Sequence, residues 1–149
     1  MSHIESICIA PEHASPQLAT NRVRVQAALG LLGDRYAGRS PVTVSFIAAE
    51  EVEAFNERTG LAITAADTGR NLVTRGADLN QLVGKRFTVG EVEFEGMELC
   101  EPCATLGGRL ATEEVSAAHI VREFTHRAGL RAFVRSSGEL QVGDALRPI

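Results

Sequence analysis

Cys100 and Cys103 stand three residues apart in the stretch M-E-L-C-E-P-C-A-T-L, residues 97–106, with Pro102 directly before the second thiol. Two cysteines at this spacing could be half of a metal clip, a redox dithiol, a sulfur carrier, or a pair of small buried hydrophobes. A structural zinc site needs four Cys or His ligands, and this pair supplies two. His3, His13, His119 and His126 do not fall at metal-ligand spacing, so zinc is disfavoured. A thioredoxin-type dithiol requires its C-x-x-C at a helix N-terminus beside a βαβ pattern. The sequence offers no such context. Glu98 and Glu101 flank the thiols instead, and nearby carboxylates disfavour a thiolate. C-E-P-C alone leaves inert burial and chemistry both open.

Three further segments carry polar groups able to serve a site. Gly33-Asp34-Arg35-Tyr36-Ala37-Gly38-Arg39 is a charged loop bounded by glycines, and Thr68-Gly69-Arg70-Asn71-Leu72 reads as a loop-to-strand junction. Thr125-His126-Arg127-Ala128-Gly129-Leu130-Arg131 closes an expected helix. Each also has a plain structural role open to it. Asp34 and Arg35 could be a solvated turn pair, Asn71 could cap its own loop, and His126 could favour a helix C-terminus through the dipole.

Short strands must position these residues. Alternation of apolar and polar residues at 22–26, 86–89, 130–134 and 140–142 is the period-2 pattern of half-buried strands. Residues 91–99 alternate with Val92 and Phe94 apolar, then flip parity after Gly96, so that Met97 and Leu99 are apolar. A one-residue shift at a glycine predicts a β-bulge or bend. Ala48, Val52, Phe55 and Thr59 form a helical stripe stopped by Gly60. Ala117, Ile120, Val121, Phe124 and Ala128 form a second, before Gly129. Many short strands with few helices predict a mainly β, barrel-like domain. The order does not alternate as βαβ, and no glycine-rich phosphate motif follows a strand.

The bulk properties set limits on function. At 149 residues, the chain is expected to form a single domain over 1–149, and about 68–70% burial of its unfolded surface lets it stand without staples. No apolar run reaches the ~18 residues needed to cross a bilayer. The N-terminus lacks a basic region and places Glu5 in its apolar stretch, so a signal peptide is not expected and the cytosol is. Net charge is −4 without a basic block, which argues against nucleic acid as a partner. Fourteen arginines stand beside one lysine, Lys85. Composition bias accounts for this simply, but guanidiniums forking onto phosphate or carboxylate would too. Three cysteines are no disulfide framework, and Cys8, in Ile7-Cys8-Ile9-Ala10, reads as core.

In this order the segments resemble the MOSC domain, the C-terminal domain of molybdenum cofactor sulfurases, in its stand-alone bacterial form. The residues that carry the resemblance begin with L-L-G-D-R-Y-A-G-R, V-S-F-I-A-A-E-E and T-G-R-N-L-V-T-R-G-A-D-L. They continue through V-G-K-R-F-T-V-G-E-V-E-F-E-G-M-E-L-C-E-P-C to H-R-A-G-L-R-A-F-V and L-Q-V-G-D. The resemblance implies a β-barrel-like fold with a mostly antiparallel sheet and a few helices. It also implies handling of the molybdenum cofactor, a pterin whose dithiolene sulfurs hold the metal. In the amidoxime-reducing branch a protein cysteine ligates molybdenum, and Cys103 matches that position. A soft thiolate suits such a metal, a bound metal would deprotonate it despite Glu98 and Glu101, and Pro102 fixes the backbone beside it.

The resemblance further implies that Arg70 holds the pterin phosphate and that Asn71 bonds a polar edge of the pterin. Asp34 and Arg35 belong to a family loop. Thr43 and Ser45, which share one parity, would face the pocket, and Arg127 and Arg131 would add positive charge. Three functions follow as expectations. The first is a molybdenum-dependent reductase of N-hydroxylated small molecules such as amidoximes or hydroxylaminopurines, supplied by a separate electron-donor protein. The second is a persulfide carrier through Cys103, and the third a cofactor-binding or storage module without turnover. The companion domain that encloses the cofactor in the amidoxime-reducing branch has no counterpart in these residues. An open pocket is therefore expected, one that a second subunit of a homodimer could complete.

Overall fold

The alternating segments form the strands they predict, and glycine breaks them where they must turn. The structure, a computed structural model, describes residues 2–12 and 15–149. It opens with β1 (His3–Ile9), β2 (Leu18–Thr20), β3 (Arg22–Gln26), β4 (Gly30–Leu31) and β5 (Thr43–Ala48). Then come α1 (Ala49–Thr59), β6 (Leu72–Arg75), β7 (Arg86–Val89) and β8 (Val92–Leu99). The chain ends with α2 (Ala104–Leu110), α3 (Ala117–Phe124), β9 (Leu130–Val134), β10 (Gly138–Gln141) and β11 (Leu146–Pro148). Two 3-10 turns, Ala65–Thr68 and Leu79–Leu82, punctuate the loops.

Eight strands form one curled sheet, a half-barrel in the order β11-β7-β8-β9-β5-β6-β1-β2, and β10-β3-β4 form a small second sheet. Every pairing is antiparallel except β5 with β6. That parallel pair needs a crossover, which α1 supplies. The fold therefore contains one βαβ unit that the sequence pattern did not mark. The helix ending at Gly60 has the expected left-handed stop, with φ at 77°. The second expected helix is shorter than its apolar stripe: α3 stops at Phe124, and His126 takes a positive φ of 63°. Ala128 still packs with the same apolar cluster, which is why it continued the stripe.

Alternation sends β-strand side chains to two opposed cores. On one face of the large sheet, Phe46 meets Phe87 and Phe94 edge to face, with centroids 5.5 and 5.3 Å away. On the other, Ile47 and Val73 pack beneath the helices, where Phe55 and Phe124 stack at 4.0 Å. Cys8 lies in this second core, as expected.

Gly96 is the joint that matters to the site. The β8–β9 register slips between Gly96 and Glu98, confirming the bulge. The Leu79–Leu82 turn crosses directly over it: Gly96 donates to the Lys85 carbonyl and accepts from Gly84 N–H, both at 2.9 Å. A Cβ at position 96 would overlap the Leu82 carbonyl oxygen. The slip turns Glu98 outward and Met97 toward the hollow that holds the cysteines. Gly96→Ala is expected to lower stability by about 3 kcal/mol through this overlap. Urea unfolding measures it, and a change under about 0.5 kcal/mol, the range of ordinary surface substitutions, would contradict the close approach.

Candidate functional site

The site forms where four neighbouring strands end together. Thr43 and Ser45 lie at the amino end of β5, Asn71 directly precedes β6, Arg131 is the second residue of β9, and Cys100 follows β8. Ser45 pairs across with Arg131, which in turn pairs with Glu98. The chain then turns through Glu101 and Pro102 to Cys103, the residue that caps the amino end of α2. With the loop 32–42, these ends enclose a hollow of about 490 Å³, within the usual range for small-molecule sites.

Thr43, Ser45, Arg70, Asn71, Cys103, Arg35 and Arg131 all line this hollow, as does Cys100. Two expected site residues do not. Arg127 borders a separate hollow with Glu50, Asp78 and His126, because the chain reverses at His126 before reaching β9. Asp34 is buried and turned to the backbone: its carboxylate accepts from Ala10 N–H at 3.0 Å and Tyr36 N–H at 3.3 Å. It shapes the loop that presents Arg35.

Asn71 is buried and bonded at both ends of its amide. Its Nδ2 donates to the Cys8 carbonyl at 3.1 Å, and its Oδ1 accepts from the Ser45 hydroxyl at 3.0 Å. It therefore ties the 68–71 loop to β1 and β5. Arg70 beside it donates from Nε to the Ala128 carbonyl at 2.9 Å and from Nη1 to the Thr68 carbonyl at 3.3 Å. Burial pulls its pKa down, the thiols of Cys100 and Cys103 push it up, and Arg131 and Arg109 pull it down. Arginine stays protonated through such shifts.

The two thiols differ. Cys100 is buried, which raises its pKa against the pull of Arg70 and Arg131. Cys103 is exposed, and its pKa is lowered. The Leu106 N–H is the main cause, opposed by slight burial and aided by the Thr105 N–H and hydroxyl and by Arg70. These N–H groups belong to the first turn of α2, where helix donors lack internal partners. They face the sulfur without closing a capping hydrogen bond. At Cys100 the acidic flank acts as its sequence suggests, since Glu98 and Glu101 add to the rise, whereas the donors of α2 lower Cys103 all the same. Glu98 pairs with Arg131 at 2.8 Å and Glu101 with His126 at 2.6 Å. The helix start after C-E-P-C is thus present. Gly107 and Gly108 had concealed it, since glycine is a poor helix former.

Sequence reasoning assigned no role to Arg39, Tyr36, Thr105 or Arg109, all of which line the hollow. Recognising α2 would have placed Arg109 near Cys103. Five arginines and no carboxylate line the hollow among the described residues. Only Arg131 of the five forms an ion pair with a carboxylate there. Arg35 and Arg39 instead lie over the Tyr36 ring, 4.7 and 5.4 Å from its centroid. In a chain of net charge −4, such a concentration gives the hollow a positive field that attracts anions. No group of three metal-ligating side chains occurs among the described residues, and His13 lies outside them. Nor is any helix there long and apolar enough to cross a membrane.

A half-barrel whose strand ends carry an exposed thiol among arginines is a specific architecture, and comparison gives it a family. The MOSC domain model matches residues 33–147, so the chain belongs to the MOSC domain family, which is associated with the molybdenum cofactor. The crystal structure of the YuaD protein from Bacillus subtilis is similar with a TM-score of 0.85 at 19% identity, over 98% of this chain and 94% of that one. YiiM from Geobacillus stearothermophilus matches with a TM-score of 0.77 at 15% identity, over 100% and 75% of the two chains. YiiM from Escherichia coli gives 0.75 at 18% identity, over 100% and 70%. At such identities the likeness is one of fold. No curated protein matches the chain in sequence.

The thiol contrast is directly measurable. At about pH 7, iodoacetamide is expected to modify Cys103 in the folded protein while Cys8 and Cys100 react only on unfolding. Because the Cys103 pKa is lowered, its thiolate, and hence its alkylation rate, should persist to lower pH than for free cysteine. Peptide mapping by mass spectrometry reads both, and faster labelling of Cys100 would contradict the geometry.

Proposed function

We propose that the protein is a molybdenum cofactor-binding reductase of N-hydroxylated compounds, with the Cys103 thiolate as the protein ligand to the metal. One observation carries this reading: the exposed sulfur of lowered pKa shares a roomy hollow with five guanidiniums and no carboxylate. The donor set fits the group. A soft thiolate suits a metal already held by sulfur, and guanidiniums suit a pterin phosphate. Arg70 would hold that phosphate with the part of its fork that Thr68 and Ala128 leave free. Asn71 braces the loop that carries Arg70 through Cys8 and Ser45, and its second amide N–H would bond a polar edge of the pterin. Thr43 and the Ser45 hydroxyl offer further polar contacts on the wall.

When bound, the cofactor supplies the two-electron chemistry that converts an N–OH group and two protons into N–H and water. Cys103 anchors it, and the arginine wall orients anionic parts of cofactor and substrate. Electrons come from a separate donor protein. A cytosolic setting accords with three unpaired cysteines. In the competing carrier reading Cys100 could resolve a persulfide on Cys103. Burial and a raised pKa make Cys100 a poor nucleophile for that exchange.

Expression in a cofactor-producing host tests the proposal. Molybdenum and pterin are expected to copurify with the wild type, and a supplied reductant should support turnover of an N-hydroxylated substrate. Cys103→Ser should lose molybdenum and turnover, whereas Cys100→Ser should retain the metal. Cofactor retained without turnover would mark a storage module. Cyanide-labile sulfur on Cys103 without cofactor would mark a carrier.

A further inference from the structure

The arginines of the hollow fall into two groups. Arg70 lies by the thiols, which favour its charge, while Arg131 and, more weakly, Arg109 oppose it. A second group gathers at Gly69, in the same loop. A Cβ built on Gly69 would stand 3.4 Å from Nη2 of Arg109 and 3.7 Å from Nη2 of Arg35. Two guanidiniums, one from the 32–42 loop and one from α2, thus converge on one point. Neither has a carboxylate partner among the described residues: Arg109 donates only to the Asp67 carbonyl at 3.1 Å, and Arg35 lies over Tyr36. Arg39, exposed, joins them through the same ring.

Converging cations without a counter-charge repel one another, and an anion between them removes that cost. Gly69 makes room for one. It holds φ at 77°, and its carbonyl is fixed by Nε2 of Gln17 at 2.8 Å. Donors arriving from two separate elements suit a tetrahedral oxyanion, which accepts from several directions. A planar carboxylate is satisfied by a single fork.

We propose that Arg35 and Arg109, converging at Gly69, form a second oxyanion subsite in the hollow, which holds a phosphate monoester on the substrate. Resting on the reductase reading above, this makes the substrate class a phosphorylated N-hydroxylated compound, such as an N-hydroxylated nucleoside monophosphate, in preference to the free base. At neutral pH such a phosphate carries roughly −1.5 to −2 charge, matched to two guanidiniums with Arg39 beside them.

Calorimetry on the cofactor-free protein tests the subsite apart from turnover. The probes are an N-hydroxylated nucleoside and its 5′-monophosphate. The monophosphate is expected to bind tighter by about tenfold or more, and Arg35→Gln or Arg109→Gln should each remove about tenfold of its affinity. Arg109→Lys should keep part of the preference, and Arg22→Gln, on the small sheet, all of it. Equal binding of the two probes, or a preference untouched by both glutamine variants, overturns the proposal. So does loss of pterin and molybdenum from Arg35→Gln and Arg109→Gln protein made in a cofactor-producing host, which would assign the clamp to the cofactor's phosphate. A wild type that takes up neither metal nor pterin overturns the reductase reading instead, and the subsite is then judged on the calorimetry alone.

Discussion

A cation lodged against the protein interior without a carboxylate must be held by something else, and Arg70 sets the terms for the whole site. Desolvating a charge is costly. Here the cost is offset by the carbonyls of Thr68 and Ala128. The Ala128–Gly129 segment does more than accept from Arg70. The Gly129 carbonyl receives the Cys100 N–H at 2.9 Å, so two adjacent residues index the arginine loop to the cysteine loop. Gly129 can serve only because it lacks a side chain: with φ at 106°, a Cβ would overlap the Phe46 carbonyl oxygen. The aromatic core below and the ionic site above thus share a backbone junction.

Charge is segregated around this junction. The acidic residues nearest the thiols are engaged by other side chains, Glu98 by Arg131 and Glu101 by His126. Asp34 is consumed by backbone N–H groups. What remains in the hollow is positive, although the chain as a whole is negative. A cleft of one sign with low-dielectric walls concentrates oppositely charged ligands, and the first-turn N–H groups of α2 add to the field at Cys103.

Much of the fold was legible where a strand buries one face and exposes the other. Residues 22–26, 86–89 and 130–134 match β3, β7 and β9, and the parity flip marked the Gly96 bulge. Tertiary context hid the rest. The β5–β6 pairing is parallel and depends on a crossover that local alternation cannot reveal. The two glycines of α2 mask its helical character, and with it Arg109 and the donors facing Cys103. The flanking glutamates foretold the raised pKa of Cys100 but not the lowered one of Cys103, because the donors facing that sulfur belong to the concealed helix. The arginine excess, simplest as composition bias, includes five residues gathered from four separated segments.

The hollow opens at the amino ends of the parallel pair β5 and β6, the reverse of the end used by open α/β sheets. Its floor belongs to paired strands, where any insertion would slip a register. Its rim belongs to α2 and to the 32–42 loop, which bonds β3 and β9 only at its ends, through Leu32 and Val42, so that changes of length between those ends slip no register. The architecture therefore separates what must stay fixed, the seat of the thiol and the inner guanidinium, from what can be rewritten. Ligand preference can drift at the rim over evolutionary time while the half-barrel beneath keeps its form.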